Sequence, residues 1–142
     1  MPHVAKLDRQ LGVIAVEYRG EFDCREIARA FDELVAPRGF QRGLKCIADF
    51  RRAHTALTGE EVRQLAAVTQ NTDHAWGQAK WALIASDDLI YGLSRMYSAL
   101  TSDHEVRTHV FRTVEAANDW LELGMSIDEV LKATLGPGTA PR

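Results

Sequence analysis

The chain has 142 residues and a formal net charge of −3 at pH 7, with basic and acidic residues interspersed. A chain of this length can bury a core without disulfides or metal, which predicts a single domain over residues 1–135. The absence of a basic field argues against nucleic acid as a partner, and no apolar run is long enough to span a membrane. With no leader-like N-terminus, we expect a cytoplasmic protein.

The first part of the chain predicts a hairpin followed by a helix. Residues 3–8 and 12–18 have the composition of strands and are joined by a short polar link. Asp23 is a typical helix cap with Glu26 three residues further on, and Pro37 and Gly39 are expected to end that helix.

The rest of the chain continues this alternation. Thr58 and Glu61 form a predicted capping box, and so do Ser126 and Glu129. The predicted elements are a strand over 44–49, a helix after Thr58, a strand over 81–85, a helix over 87–100, a strand over 106–111, a helix from 113 or 114 to 123 and a helix over 127–135. Residues 136–142 are expected to form a disordered tail.

Strands that alternate with helices predict an α/β fold with a mostly parallel, mixed sheet, to which the first hairpin adds an antiparallel strand. In the segment 106–111, Val106, Thr108 and Val110 alternate with more polar neighbours. This pattern is typical of a strand at the edge of a sheet, where an exposed edge can recruit a protein partner.

The helix over 87–100 has two distinct sides. Its predicted core stripe consists of Leu89, Leu93, Met96, Tyr97 and Leu100. The residues predicted on the other side are Tyr91, Ser94, Arg95 and Ser98. Gly92 lies in the helix interior, where a glycine indicates close approach of a backbone or ligand. We interpret Ser86 as the cap of this helix rather than as a nucleophile.

The sequence contains no convincing catalytic or metal-binding set. It lacks the glycine-rich nucleotide motifs, and its histidines lack zinc-site spacing. Asp23, Asp49, Asp87 and Asp88 could meet at the carboxyl edge of the sheet, but capping explains most of them. Acid–base chemistry by His54 and Asp49 is a minor hypothesis. We therefore predict no cofactor and no metal, and favour a protein that is not an enzyme.

Two pairs of residues are interpreted as structural. Cys24 and Cys46 have no paired spacing and are predicted to be buried, reduced thiols. Trp76 and Trp81 flank a turn and are predicted to cover the core, although together they would make an interface anchor if exposed.

Arg51 and Arg52 form the one basic cluster near the carboxyl edge of the predicted sheet. We place them in a loop, where they could bind an acidic group of a ligand or partner. A crevice between these arginines and Tyr91 and Arg95 would accommodate a small apolar or acidic ligand.

Three segments of the chain resemble the bacterial SpoIIAA-like family, which belongs with the STAS domains. These segments are Lys80-Trp81-Ala82-Leu83-Ile84-Ala85-Ser86-Asp87, Tyr91-Gly92-Leu93-Ser94-Arg95-Met96-Tyr97 and Val110-Phe111-Arg112-Thr113-Val114-Glu115-Ala116-Ala117-Asn118-Asp119-Trp120-Leu121. The resemblance extends over residues 12–123. It implies a helix-flanked sheet of the STAS type in a small cytoplasmic bacterial protein, and a family without an assigned biochemical role.

STAS-type anti-sigma-factor antagonists carry a phosphorylatable Ser or Thr in an Asp-Ser-Ser-Gly-like turn. The corresponding residues here are Ala56-Leu57-Thr58-Gly59, so Thr58 is the only matching hydroxyl and the preceding Asp is missing. The resemblance thus favours a non-enzymatic regulatory or protein-interaction module, with a protein partner or a homodimer. The alternative is a carrier of a small, lipid-like ligand. Arg51, Arg52, Thr58, Tyr91 and Arg95 are the predicted binding residues.

Overall fold

A computed structural model describes residues 3–35 and 44–136, except for the side chains at positions 35, 74 and 75. Its strands are β1 (His3–Asp8), β2 (Val13–Phe22), β3 (Lys45–Thr55), β4 (Lys80–Ile84) and β5 (Arg107–Phe111). Its helices are α1 (Cys24–Val35), α2 (Gly59–Gln70), the one-turn α3 (Asp73–Trp76), α4 (Asp88–Leu100), α5 (Val114–Leu121) and α6 (Ile127–Leu135). The predicted helix stop at Pro37 and Gly39, and the predicted tail beyond Gly136, lie outside the described residues.

The five strands form one sheet in the order β1-β2-β3-β4-β5. β1 is antiparallel to β2, and the other neighbouring strands are parallel. This topology confirms the predicted α/β fold and the position of β5 at an edge. Because right-handed crossovers add each parallel strand in the same direction, α1, α2 and α4 cover one face of the sheet. We call this the front face, and the face covered by α5 and α6 the back face.

Each face of the sheet has its own hydrophobic core. Side chains alternate along β2, so that Ile14 and Val16 pack in the front core, whereas Val13 and Ala15 pack in the back core. Strands buried on both faces must be apolar at successive positions, which explains the continuous apolar runs that the sequence shows.

β2 and β3 continue beyond their predicted ends at Tyr18 and Asp49. Glu17 pairs with Asp49, but Arg19 pairs with Arg52, so β3 contributes one extra residue in a β-bulge. The bulge and the polar residues interrupt the apolar pattern from which strand ends are predicted. The prediction of a loop at Arg51 and Arg52 is therefore wrong, because both lie on β3.

The helix caps agree with the predictions except at α4. The capping box of Thr58 and Glu61 is present, with both reciprocal hydrogen bonds. The hydroxyl of Ser126 accepts a hydrogen bond from Glu129 N, as predicted for α6. At α4, however, Asp87 Oδ2 accepts a hydrogen bond from Ile90 N at 3.0 Å, so Asp87 is the cap instead of Ser86.

The predicted core stripe of α4 is partly wrong. Ile90 and Ser94 are the buried residues of this helix, whereas Leu89 and Leu100 are 50% and 42% exposed. Apolar residues occupy two overlapping stripes of α4, and the packing of the helix on the sheet selects the stripe that contains Ile90. Ser94, which the sequence placed on the outer side, therefore points to the core.

Candidate functional site

A cavity of about 100 Å³ lies between the front face of the sheet and the helices that cover it. Strands β2, β3, β4 and β5 form its floor, and α1, α2, α3 and α4 contribute its walls. The lining residues are predominantly aliphatic and aromatic. None of those that the structure describes is a lysine or an arginine.

Aromatic rings fix the shape of two walls of the cavity. Tyr18 and Phe50 stack with their ring centroids 4.7 Å apart. On the other side, Phe31, Trp76 and Trp81 form a cluster of edge-on contacts with centroid distances of 5.6–5.9 Å. Both tryptophans are buried, which confirms that they belong to the core. Large rings packed against each other have few alternative rotamers, so these walls are rigid.

Polar groups, including the contact between Asp73 and His104, occupy the end of the cavity at the start of β5. Tyr97 Oη donates a hydrogen bond to Thr69 Oγ1 at 2.9 Å. The Asp73 carboxylate accepts hydrogen bonds from the backbone N–H groups of Glu105 and Val106, and it lies 3.9 Å from His104 Nδ1. Asp73 is therefore already compensated by protein groups.

The two tyrosines of the cavity remain protonated. Burial, with smaller contributions from the charges of Glu26 and Glu33, raises the pKa of Tyr18 well above its ordinary value. Burial also raises the pKa of Tyr97. A buried phenol without a nearby cation is unfavourable as an anion, so these side chains offer neutral hydroxyl groups.

A second depression adjoins the cavity at Phe22 and Leu57. Its volume is about 430 Å³, and its other lining residues are Glu21, Asp23, Glu26, Ala56 and Glu61. Asp23 caps α1 through Glu26 N, and Glu61 caps α2 through Thr58. Because Arg29 pairs with Glu26, the negative charge on this side of the cavity comes from Glu21, Asp23 and Glu61.

The back face contains a buried ionic network. Glu17 and Asp49, neighbours on β2 and β3, are only 1% and 3% exposed. Arg51 donates to both carboxylate oxygens of Asp49 and to Asp128 on α6, each at 2.9 Å, and Arg19 pairs with Glu17. Burial lowers the pKa of Arg51, but its hydrogen bonds and charge interactions with the two aspartates outweigh burial and raise it.

The structure does not bring the predicted binding residues together around the cavity. Arg51 reaches α6 on the back face, whereas Tyr91 packs in the front core, so the sheet separates them. The Arg112 guanidinium lies 3.9 Å from the centre of the Tyr91 ring. Arg95 is exposed, Arg52 is half-buried, and Thr58 caps α2. None of the five lines the cavity.

The geometry does not support the minor hypotheses of acid–base chemistry by His54 and Asp49 and of a metal site. His54 follows Asp49 by five residues on β3, which separates them by about 15 Å along an extended strand. This distance excludes direct acid–base cooperation between them. Among the residues that the structure describes, no group of three or more His, Cys, Asp or Glu side chains is arranged to hold a metal ion.

Comparisons with known proteins identify the fold. No protein-family model matches the chain, and no curated protein matches it. The chain is similar in structure to a crystal structure of an uncharacterised protein of the DUF3478 family from Shewanella loihica PV-4, which has a SpoIIAA-like fold. The TM-score is 0.53 at 14% identity, and the match covers 84% of this chain and 93% of the other. The fold is SpoIIAA-like. This finding confirms the fold that the sequence resemblance implied.

The described helices contain no candidate for a membrane span, since none combines sufficient length with sufficient apolar character. The front-face cavity is a feature of this fold that the sequence did not predict. Its lining residues look like ordinary core residues in the sequence. The one available signal was Ser94, a polar residue four positions after Ile90 on the same side of α4.

Proposed function

We propose that this protein binds a small, predominantly apolar ligand in the front-face cavity. The cavity is the observation that carries the proposal. Protein interiors are close-packed, and an unfilled space reduces stability by about 24 cal/mol per Å³. A space of about 100 Å³ that stayed wholly unfilled would correspond to about 2 kcal/mol. Occupation by an apolar ligand would recover this stability.

The lining favours binding over catalysis. Asp73 and His104 are the only acidic and imidazole groups among the described lining residues, and two backbone N–H groups hold the Asp73 carboxylate. The remaining surface is mainly aliphatic and aromatic, as in pockets that bind small apolar molecules. A carrier or sensor of such a molecule is the function that this chemistry supports best.

A cavity-filling substitution tests the proposal. Ala30 lies in the cavity wall and is 1% exposed, whereas Ala79 is fully buried in the same core but does not line the cavity. Ala30→Leu is expected to abolish binding of the apolar dye N-phenyl-1-naphthylamine without lowering the free energy of unfolding. Ala79→Leu is expected to cost about 1–3 kcal/mol through overpacking and to leave binding by the folded protein intact.

Two measurements complete this test. The wild-type protein should increase the fluorescence of the dye, and native mass spectrometry after gentle purification should detect added mass. A wild-type protein that leaves the dye fluorescence unchanged and has a clean apo mass would contradict the proposal. So would an Ala30→Leu variant that binds the dye as well as the wild type does.

A regulatory or protein-interaction role is the second candidate. Within the described part of the chain, β5 pairs only with β4, and its residues Arg107 and His109 are exposed. An edge strand can accept a strand from a partner or from a second copy of the chain. The free thiols of Cys24 and Cys46 fit a reducing compartment such as the cytoplasm. Light scattering that finds a monomer, with a pull-down that retains no partner, would count against this role.

A further inference from the structure

We propose that the ligand is an uncharged molecule with a hydrogen-bonding oxygen, such as a ketone, ester, amide or alcohol, and that Ser94 and Thr108 bind this oxygen. The inference rests on the proposed function and adds the chemical class of the ligand. It follows from two buried hydroxyl groups and from the charges around the cavity.

Ser94 and Thr108 line the cavity and are only 7% and 9% exposed. Within the described part of the chain, neither side-chain hydroxyl makes a hydrogen bond. By contrast, Thr55 and Thr69 in the same lining donate to backbone carbonyl oxygens. A serine inside a helix usually bonds the carbonyl of the preceding turn or points to solvent, and Ser94 does neither. A ligand oxygen in the cavity would supply the hydrogen bond that the protein does not give these two hydroxyl groups.

The two hydroxyl groups belong to the same side of the cavity. Ser98, one turn after Ser94 on α4, donates a hydrogen bond from its hydroxyl to the backbone carbonyl of Thr108 on β5. This contact fixes α4 over β5 at the level of both residues. On the α1 and α2 side, the one polar side chain in the described lining is Thr69, whose hydroxyl already donates to a backbone carbonyl. The other lining residues on this side are apolar: Ile27, Ala30, Phe31, Leu34, Val62 and Leu65. A ligand with one polar oxygen and an apolar body would match this distribution.

The charges around the cavity disfavour an anionic ligand. No described lining residue is a lysine or an arginine, and His104 lies beside the Asp73 carboxylate. The adjoining depression contains Glu21, Asp23, Glu26 and Glu61. An anion buried among apolar groups without a cation loses far more hydration free energy than it regains. The same lining gives an ammonium group no free carboxylate inside the cavity, because protein groups already compensate Asp73.

Matched eight-carbon probes test the ligand class. Binding of octane, 2-octanone, octanoate and octylamine is measured above neutral pH by displacement of N-phenyl-1-naphthylamine. We expect the ratio of the 2-octanone affinity to the octane affinity to be about three- to tenfold higher for the wild type than for a variant that lacks one of the two hydroxyl groups, because such a variant loses one net hydrogen bond. Octanoate and octylamine should bind more weakly than 2-octanone.

Side-chain variants test the assignment to the two hydroxyl groups. Ser94→Ala and Thr108→Val should each reduce the preference for 2-octanone over octane while leaving the affinity for octane unchanged. Thr108→Ser retains the hydroxyl and should retain the preference. Ser86→Ala is the matched control, since Ser86 is exposed and does not line the cavity.

The outcomes separate this inference from the proposed function. Failure of every probe, including octane, would refute both. Binding of octane without detectable binding of 2-octanone, or tighter binding of octanoate or octylamine than of 2-octanone, would refute the ligand class and leave an apolar site. An unchanged preference in both hydroxyl variants, or a loss confined to Tyr18→Phe, would overturn the assignment to Ser94 and Thr108.

Discussion

Replacement of Arg51 by methionine should destabilise the fold severely, because it would leave a buried carboxylate without its cation. The Asp49 side chain is 4% exposed and accepts three hydrogen bonds from Arg51, namely from the backbone N, from Nε and from Nη2, at 2.9–3.0 Å. Arg51→Met removes the two charge-assisted bonds and keeps only the backbone bond. The loss of one partner of a buried ion pair typically costs about 3–5 kcal/mol.

The hydrogen bond between Arg51 and Asp128 provides a comparison for the free energy of unfolding that Arg51→Met removes. Asp128 also accepts a hydrogen bond from Arg51 Nη2, but its side chain is 35% exposed. Since an exposed ion pair contributes at most about 1 kcal/mol, Asp128→Asn should cost about 1 kcal/mol or less. Arg51→Met breaks the side-chain bonds to both aspartates, whereas Asp128→Asn affects only the more exposed one, so the difference between their costs reports on the buried bonds to Asp49.

Urea denaturation followed by tryptophan fluorescence measures these free energies, and an unchanged slope with denaturant verifies comparable unfolding transitions. The double variant Asp49→Asn/Arg51→Met removes the buried charge together with its partner and should be more stable than Arg51→Met alone. The reasoning would be refuted by an Arg51→Met variant within about 1 kcal/mol of the wild type. A double variant that is no more stable than Arg51→Met would refute it equally.

Two further predictions concern α2 and the cysteines. Thr58→Ala should lower the free energy of unfolding by about 1 kcal/mol through loss of the capping box. Ser86→Ala removes no cap and should have almost no effect. Equal costs of the two variants in urea denaturation would contradict this prediction. Burial, and then the hydrogen bond and charge of Glu61, raise the pKa of Cys24, so its thiolate fraction at mildly alkaline pH is reduced. Iodoacetamide should therefore react more slowly with Cys24 than with an unfolded cysteine, and Glu61→Gln, which preserves the capping box, should shift the pH–rate profile to lower pH. Mass spectrometry follows both thiols, with buried Cys46 as the unreactive internal control, and an unshifted profile would argue against the role of Glu61.

The order of strands and helices was predictable because local signals determine it. Apolar runs such as that around Ile14 and caps such as Thr58 act within a few residues, and the structure places them as expected. The continuation of β3 through Arg51 was not predictable, since its pairing with β2 depends on a bulge that no local pattern encodes. Long-range pairing overrides local composition at this position.

The cavity could not be predicted for a different physical reason. An apolar side chain such as Ile27 has the same periodicity whether its neighbours fill the space beside it or leave it empty. The volume depends on how α1, α2 and α4 pack on the sheet. The orientation of α4 also places Ser94 in the cavity lining, whereas the sequence predicted it on the outer side. The sequence identified most of the core, apart from the stripe of α4, but contained no measure of how completely the core is packed.

The two faces of the sheet differ in whether cations are present to pair with buried charged groups, and this difference affects which ligand the proposed site could accept. On the back face, the buried carboxylates of Glu17 and Asp49 are matched by arginines, so that charge is compensated within the fold. On the front face, no arginine or lysine is present among the described lining residues, and raised pKa values keep Tyr18 and Tyr97 protonated. An ionised ligand would require on the front face the compensation that the fold provides only on the back face. The proposed ligand is therefore a neutral molecule, and the proposal assigns its recognition to hydroxyl groups rather than to charge.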